Sequence, residues 1–129
     1  MQIVTRRFAD AALLGVVGRV DHRTAAELER ALLATMVQPA AAQGGVVLDF
    51  SGVEYISSVG LRVLMVAARQ MRANAAPFAI AALQPVVAEI FAISRFDRVL
   101  SVHPDVPAAL AQCSAAALAA WQVAPQQAP

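Results

Sequence analysis

A chain of 129 residues with ten arginines, no lysine and nine carboxylates carries a net charge of +1. Its cations are spread along the sequence, so it offers no phosphate-neutralising face for nucleic acid. One cysteine, Cys113, and two histidines give neither an internal disulfide nor a metal-ligand spacing, which points to a reducing, cytoplasmic setting with no metal and no cofactor.

The length suits one domain with a single core. Hydrophobic residues make up 59%, but alanine supplies much of that and drives little burial by itself. Arg6 and Arg7 are followed by Asp10 rather than by the apolar stretch and cleavage site of a signal peptide. The uncharged stretch from Val106 to Pro129 is interrupted by Pro107, Gln112, Ser114, Gln122 and Pro125, so it reads as a packed helix with a frayed tail and not as a membrane span. Residues 1–120 are expected to form the domain and 121–129 a flexible tail.

Ile3 to Phe8 and Leu13 to Val20 are extended segments joined through Ala9, Asp10 and Ala11, as in a hairpin. Thr24 to Glu27 spells a capping box, which predicts a helix from Thr24 to about Val37 that buries Leu28, Leu32 and Met36 and stops before Pro39. Ala40 to Gly45 reads as a small-residue loop. Val46 to Phe50 is nearly all apolar, as expected of a central strand buried on both faces, and Ser51 and Gly52 read as a turn after it.

Leu61, Leu64, Met65 and Ala68 then repeat at helical spacing, with Arg62, Arg69 and Arg72 on other faces, in a helix beginning near Ser58. Pro77 to Ala81 gives a short buried strand, and Pro85 suits the first turn of a helix carrying Val86, Val87, Ile90 and Phe91. A last strand around Val99 to Val102 precedes a helix with Asp105 as N-cap and Pro107 in its first turn. The order β-β-α-β-α-β-α-β-α requires crossover connections, so the fold class is α/β, with one mixed, mostly parallel sheet and about four α-helices.

Polar residues interrupt this pattern mainly between Asp49 and Leu61, where the central strand hands over to its helix. Loops at the carboxyl ends of parallel strands, with helix N-termini pointing into them, are where ligands and anions collect. Ser57 or Ser58 can cap that helix, and the residues alone leave open whether Ser58 is a cap or a group for modification. A phosphate there would add a charge of about −1.5 to −2 beside free amides and a favourable helix dipole.

The segment from Val47 to Leu64, with Asp49-Phe50-Ser51-Gly52 and Ile56-Ser57-Ser58-Val59-Gly60-Leu61, resembles the signature stretch of STAS-domain anti-sigma factor antagonists (sulfate transporter and anti-sigma factor antagonist). Gly18 to Ala25 resembles that family's entry into its first helix, and Pro85 to Phe91 with Ile93 and Ser94 its third helix. The likeness extends to about Ala111.

The resemblance implies that Ser58 is the phospho-acceptor and that the protein is no enzyme but a partner switch. Unphosphorylated, it would bind a serine-kinase anti-sigma factor; phosphorylation would release it and a PP2C-type phosphatase would restore it. Ser57 stands where the best-known members have an aspartate and is a secondary candidate acceptor. Val59 replaces the usual serine, threonine or alanine.

Asp21, His22, Glu54, Ser57, Ser58, Val59, Gly60 and Arg62 are the candidate partner-binding residues. For several of them a structural role competes: Asp21 can start the first helix and Arg62 can be a solvated charge. Asp49 and Ser51 more simply tie down the loop, and Cys113 is a small core residue. A catalytic pair of Asp21 and His22 lacks any nucleophile placed beside it. The alternative within the family is a STAS regulatory subunit of a membrane ABC-type lipid transporter, without a phosphorylation cycle and without direct membrane insertion of the domain.

Overall fold

In the computed structural model, residues 1–38 and 43–124 are described. Strands β1 (Gln2–Phe8) and β2 (Ala11–Val20) form the expected hairpin, and Ala9 takes a left-handed φ of 52° in its two-residue turn. Helix α1 (Ala25–Met36) leads to β3 (Val46–Ile56) and α2 (Ser58–Ala73) to β4 (Phe78–Ala81). Helix α3 (Pro85–Ile93) and a 3-10 turn (Phe96–Arg98) precede β5 (Ser101–His103), and α4 (Val106–Cys113) and α5 (Ala115–Val123) are the last described elements. The strands lie in the order β1-β2-β3-β4-β5, with β1 antiparallel to β2 and all other pairs parallel.

Because side chains of a strand alternate between faces, the sheet has two cores. Leu14, Val16, Leu48, Phe50 and Ile80 face α1, α2 and α3, which contribute Leu28, Leu32, Leu64 and Phe91. Leu13, Val47 and Ala79 face the other side, where Ala109, Leu110 and Ala117 of the terminal helices cover them. The small alanines let those helices approach closely.

Several expectations are corrected. The strand does not turn at Ser51 and Gly52: β3 continues to Ile56 and pairs with β2 as far as Val20. Ser51 does make a local turn-like bond, its amide donating to Asp49 Oδ1 at 3.0 Å, but β3 carries one extra residue opposite Gly15–Val17 and another opposite Gly18–Arg19, and these bulges keep the two strands paired. Gly52 permits this pairing, since a Cβ there would lie 2.7 Å from Val17 Cγ2.

The capping box does not form. Thr24 Oγ1 instead donates to the Arg19 carbonyl at 2.8 Å and accepts from the Asp21 amide at 3.0 Å, so its hydroxyl ties the preceding turn together. Leu28 and Leu32 are buried as expected, and Met36 only partly. The last strand begins at Ser101, two residues later than expected, because the Val99 and Leu100 amides both donate back to the Phe96 carbonyl and keep the chain coiled beyond the 3-10 turn. The loop expected at Ala40 to Gly45 lies partly outside the described residues, and Gln43 and Gly44 are helical. Of the tail expected at 121–129, residues 125–129 lie outside them too, whereas Trp121 to Val123 form the last turn of α5 and Trp121 packs against the second core.

The single terminal helix is broken at Ser114. Ser114 has extended backbone, its amide donates to the Leu110 carbonyl and its Oγ accepts from the Ala117 amide, so it closes α4 and caps α5. The same hydroxyl donates to Asp10 Oδ1 in the β1–β2 turn. Ser114→Ala removes a cap and a charge-assisted bond together, so it is expected to cost about 2 kcal/mol. A lower urea midpoint with an unchanged m-value is the expected reading. Next to it, burial pushes the Cys113 thiol up to about 11, in keeping with a packing role.

Candidate functional site

The site is assembled where β2 and β3 end together. Val20 is in register with Ile56, and the Ser57 amide donates to the Val20 carbonyl at 2.8 Å, so Asp21 and His22 leave the sheet beside Ser57 and Ser58. Ser57 is the N-cap of α2, its Oγ accepting from the Gly60 amide at 3.2 Å. Ser58 is therefore the first residue of the helix and not its cap. Its side chain is exposed, and among the described residues its hydroxyl has no hydrogen-bond partner.

Gly60 presses the first turn of α2 onto the sheet. A Cβ there would lie 2.7 Å from Val20 Cγ1 and 2.8 Å from Ile56 Cγ1, too close for either β-branched side chain to accommodate without shifting. Val59 points outward and is 47% exposed, an apolar side chain left in water at the tip of the helix.

Asp21 is engaged within its own turn: Oδ1 accepts from the Arg23 amide at 2.9 Å, and Oδ2 lies 4.0 Å from Arg19 Nε. The Arg23 amide, with lesser help from Thr24 and His22 against some desolvation, holds its carboxyl below the usual value. A carboxylate held down in this way supports the loop above its ordinary pKa, and that support fades only as pH falls through the lowered value. His22 is exposed. Glu54 is exposed on β3, and Tyr55 beside it carries the Arg19 guanidinium 4.5 Å above its ring.

Arg62 lies one turn along α2 from Ser58, and both line an open groove of about 440 Å³ that also meets Leu61, Met65, Arg69 and Phe96. Neither Arg69 nor Phe96 was among the site residues expected from the sequence. The signal for Arg69 was its place two helical turns after Arg62; Phe96 had none, because a distant turn delivers it. Gln84 is a further unpredicted contributor: its Nε2 donates to the Ser51 carbonyl at 2.7 Å and fastens the start of α3 to β3. Among the described residues, no group of three or more His, Cys, Asp or Glu could hold a metal ion, and no helix is long and apolar enough to cross a membrane.

A family model described as Mlab, STAS domain, matches residues 4–102. A Bordetella bronchiseptica protein provisionally assigned as an anti-sigma factor antagonist, BtrV, is 38% identical over 115 residues, which span 89% of this chain and 90% of the relative. A crystal structure of an anti-sigma factor antagonist from Mycobacterium paratuberculosis superposes with a TM-score of 0.77 at 24% identity, covering 87% of this chain and 92% of that one. The Bacillus cell fate determinant SpoIIAA in its phosphorylated form superposes with a TM-score of 0.65 at 13% identity, over 88% of this chain and 100% of that one. These two structures share the fold.

Proposed function

Because the chain belongs to the STAS-domain family of anti-sigma factor antagonists, we propose that it is a partner switch whose state is written on Ser58. Unphosphorylated, it binds a serine-kinase anti-sigma factor and frees that kinase's other client. Phosphorylation of Ser58 ends the complex, and a PP2C-type phosphatase restores the free form.

The observation that carries this reading is the division of labour between two adjacent serines. Ser57 caps α2, which leaves Ser58 exposed at the first helical position without a structural task. A phosphate on Ser58 would sit by the helix N-terminus, where the dipole favours an anion by about 0.3–1 kcal/mol, so the fold tolerates it. A partner packed over Val59 and Gly60 would not, since it must strip water from the new charge. Asp21, His22, Glu54, Ser57 and Arg62 surround this patch as the remaining contact residues.

The test is phosphorylation by the cognate serine kinase with Mg-ATP, mapped by mass spectrometry. Phosphate on Ser58, absent from Ser58→Ala, is expected; modification elsewhere with Ser58→Ala unaffected overturns the assignment. A second reading draws on exposed Val59, which suits a lasting apolar contact: a STAS subunit docked on the ATPase of a membrane lipid transporter. It predicts stable binding to that ATPase and no phosphate transfer.

A further inference from the structure

The groove that begins at Ser58 carries the switch surface further along α2, past Arg62 to Arg69. Leu61 is buried, and Met65 and Phe96 are partly buried, so its apolar surface is continuous with the main core. Among the described residues its two charged liners, Arg62 and Arg69, are both exposed, and no carboxylate lines it. Among the described residues the one ion pair, between Arg19 and Asp21, lies elsewhere, which leaves both guanidinium groups without an acid. Arg95, at a left-handed φ of 62°, turns the chain between α3 and the 3-10 helix and brings Phe96 against α2.

An unpaired positive rim over an apolar strip selects an acidic amphipathic occupant. Arg62 and Arg69 are seven residues apart, about 10.5 Å along the helix at 1.5 Å per residue, which is close to two turns. A partner helix alongside α2 meets both when its own acids are seven residues apart with apolar residues between them. The groove starts at Ser58, so any partner seated over that serine reaches it.

Resting on the partner-switching reading above, we infer that the α2 groove receives an acidic amphipathic helix of the serine-kinase partner, held by Arg62 and Arg69. Ser58 and Arg62 are i and i+4 on one helix and therefore neighbours on its surface. A phosphate on Ser58 competes with the partner's carboxylate for Arg62 and repels it. Release is then an exchange of one anion for another as well as a desolvation penalty.

Calorimetric titration of the purified cognate kinase against wild type, Arg69→Glu and Val59→Glu tests this, with thermal melts confirming that each variant is folded. Arg69→Glu is expected to weaken binding at least tenfold and to flatten its salt dependence. Hydrogen exchange on the complex should protect an acidic helix of the kinase, and reversing one of its carboxylates to arginine should restore affinity for Arg69→Glu. Wild-type affinity in Arg69→Glu, with binding lost in Val59→Glu, overturns the groove assignment and leaves the switch intact. Weakened binding that no carboxylate reversal in the protected segment rescues also overturns it. A kinase that binds none of the three proteins overturns the switch reading itself.

Discussion

Ser58→Asp is expected to weaken kinase binding at least a hundredfold, while Ser58→Ala binds as tightly as the unmodified protein and is no longer released by ATP. The exposed hydroxyl makes no contact that the fold depends on, so alanine removes only the acceptor. Aspartate puts a full charge where the proposed docking surface would be dry, beside exposed Val59 and next to a glycine that lets the helix lie flush with the sheet. Burying a charge without a complete set of partners costs several kcal/mol, and each 1.4 kcal/mol or so is tenfold in affinity.

A phosphate carries about −1.5 to −2 charges against one for aspartate, so the phosphorylated protein should bind more weakly still. Isothermal titration of the three forms gives the ranking alanine, aspartate, phosphoserine. Equal affinity for Ser58→Ala and Ser58→Asp would remove Ser58 from the interface. Neither substitution should change the thermal midpoint appreciably, because Ser57 continues to cap the helix.

Gly45→Ala is expected to cost about 3 kcal/mol of stability. Gly45 has a left-handed φ of 85°, which costs an L-residue roughly 1–2 kcal/mol. A Cβ there would also lie 2.2 Å from the Pro77 carbonyl oxygen. That oxygen accepts from the Val46 amide at 3.0 Å, while the Gly45 carbonyl accepts from the Ala12 amide at 3.0 Å. The residue thus sits where β2, β3 and β4 are joined at their starts, and a displaced Pro77 carbonyl adds about 1 kcal/mol or more for a lost buried bond. For a chain of this size the thermal midpoint should fall by roughly 10–15 °C. A fall of under 3 °C would mean that the β3–β4 junction yields without cost.

Much of the architecture was readable because it depends on patterns of short range. The switch from period two to period 3.6 after Val20 marks the first helix, the apolar run Val46 to Phe50 marks the central strand, and proline at Pro85 and Pro107 marks two helix starts. Where the reading failed, a long-range bond overrode a local preference. Ser51-Gly52 has turn chemistry, yet eleven residues of β3 stay extended because β2 pairs with them. Thr24 has the spacing of a capping box, yet its hydroxyl is drawn to the Arg19 carbonyl by the turn it sits in. Ser114 breaks an alanine-rich helix because Asp10, more than a hundred positions earlier in the chain, is there to receive its hydroxyl.

At the candidate site the same division holds. The sequence by itself determined that a polar segment with adjacent serines opens a helix at the carboxyl end of a buried strand, since those are matters of period and capping chemistry. Which serine is the cap, and which is left exposed, was decided only by the tertiary structure: the Val20–Ser57 bond between β2 and β3 sets where the helix begins, so Ser57 takes the amide of Gly60 and Ser58 faces water. The groove with its two arginines is likewise tertiary, because Phe96 arrives from beyond α3 to close it against α2.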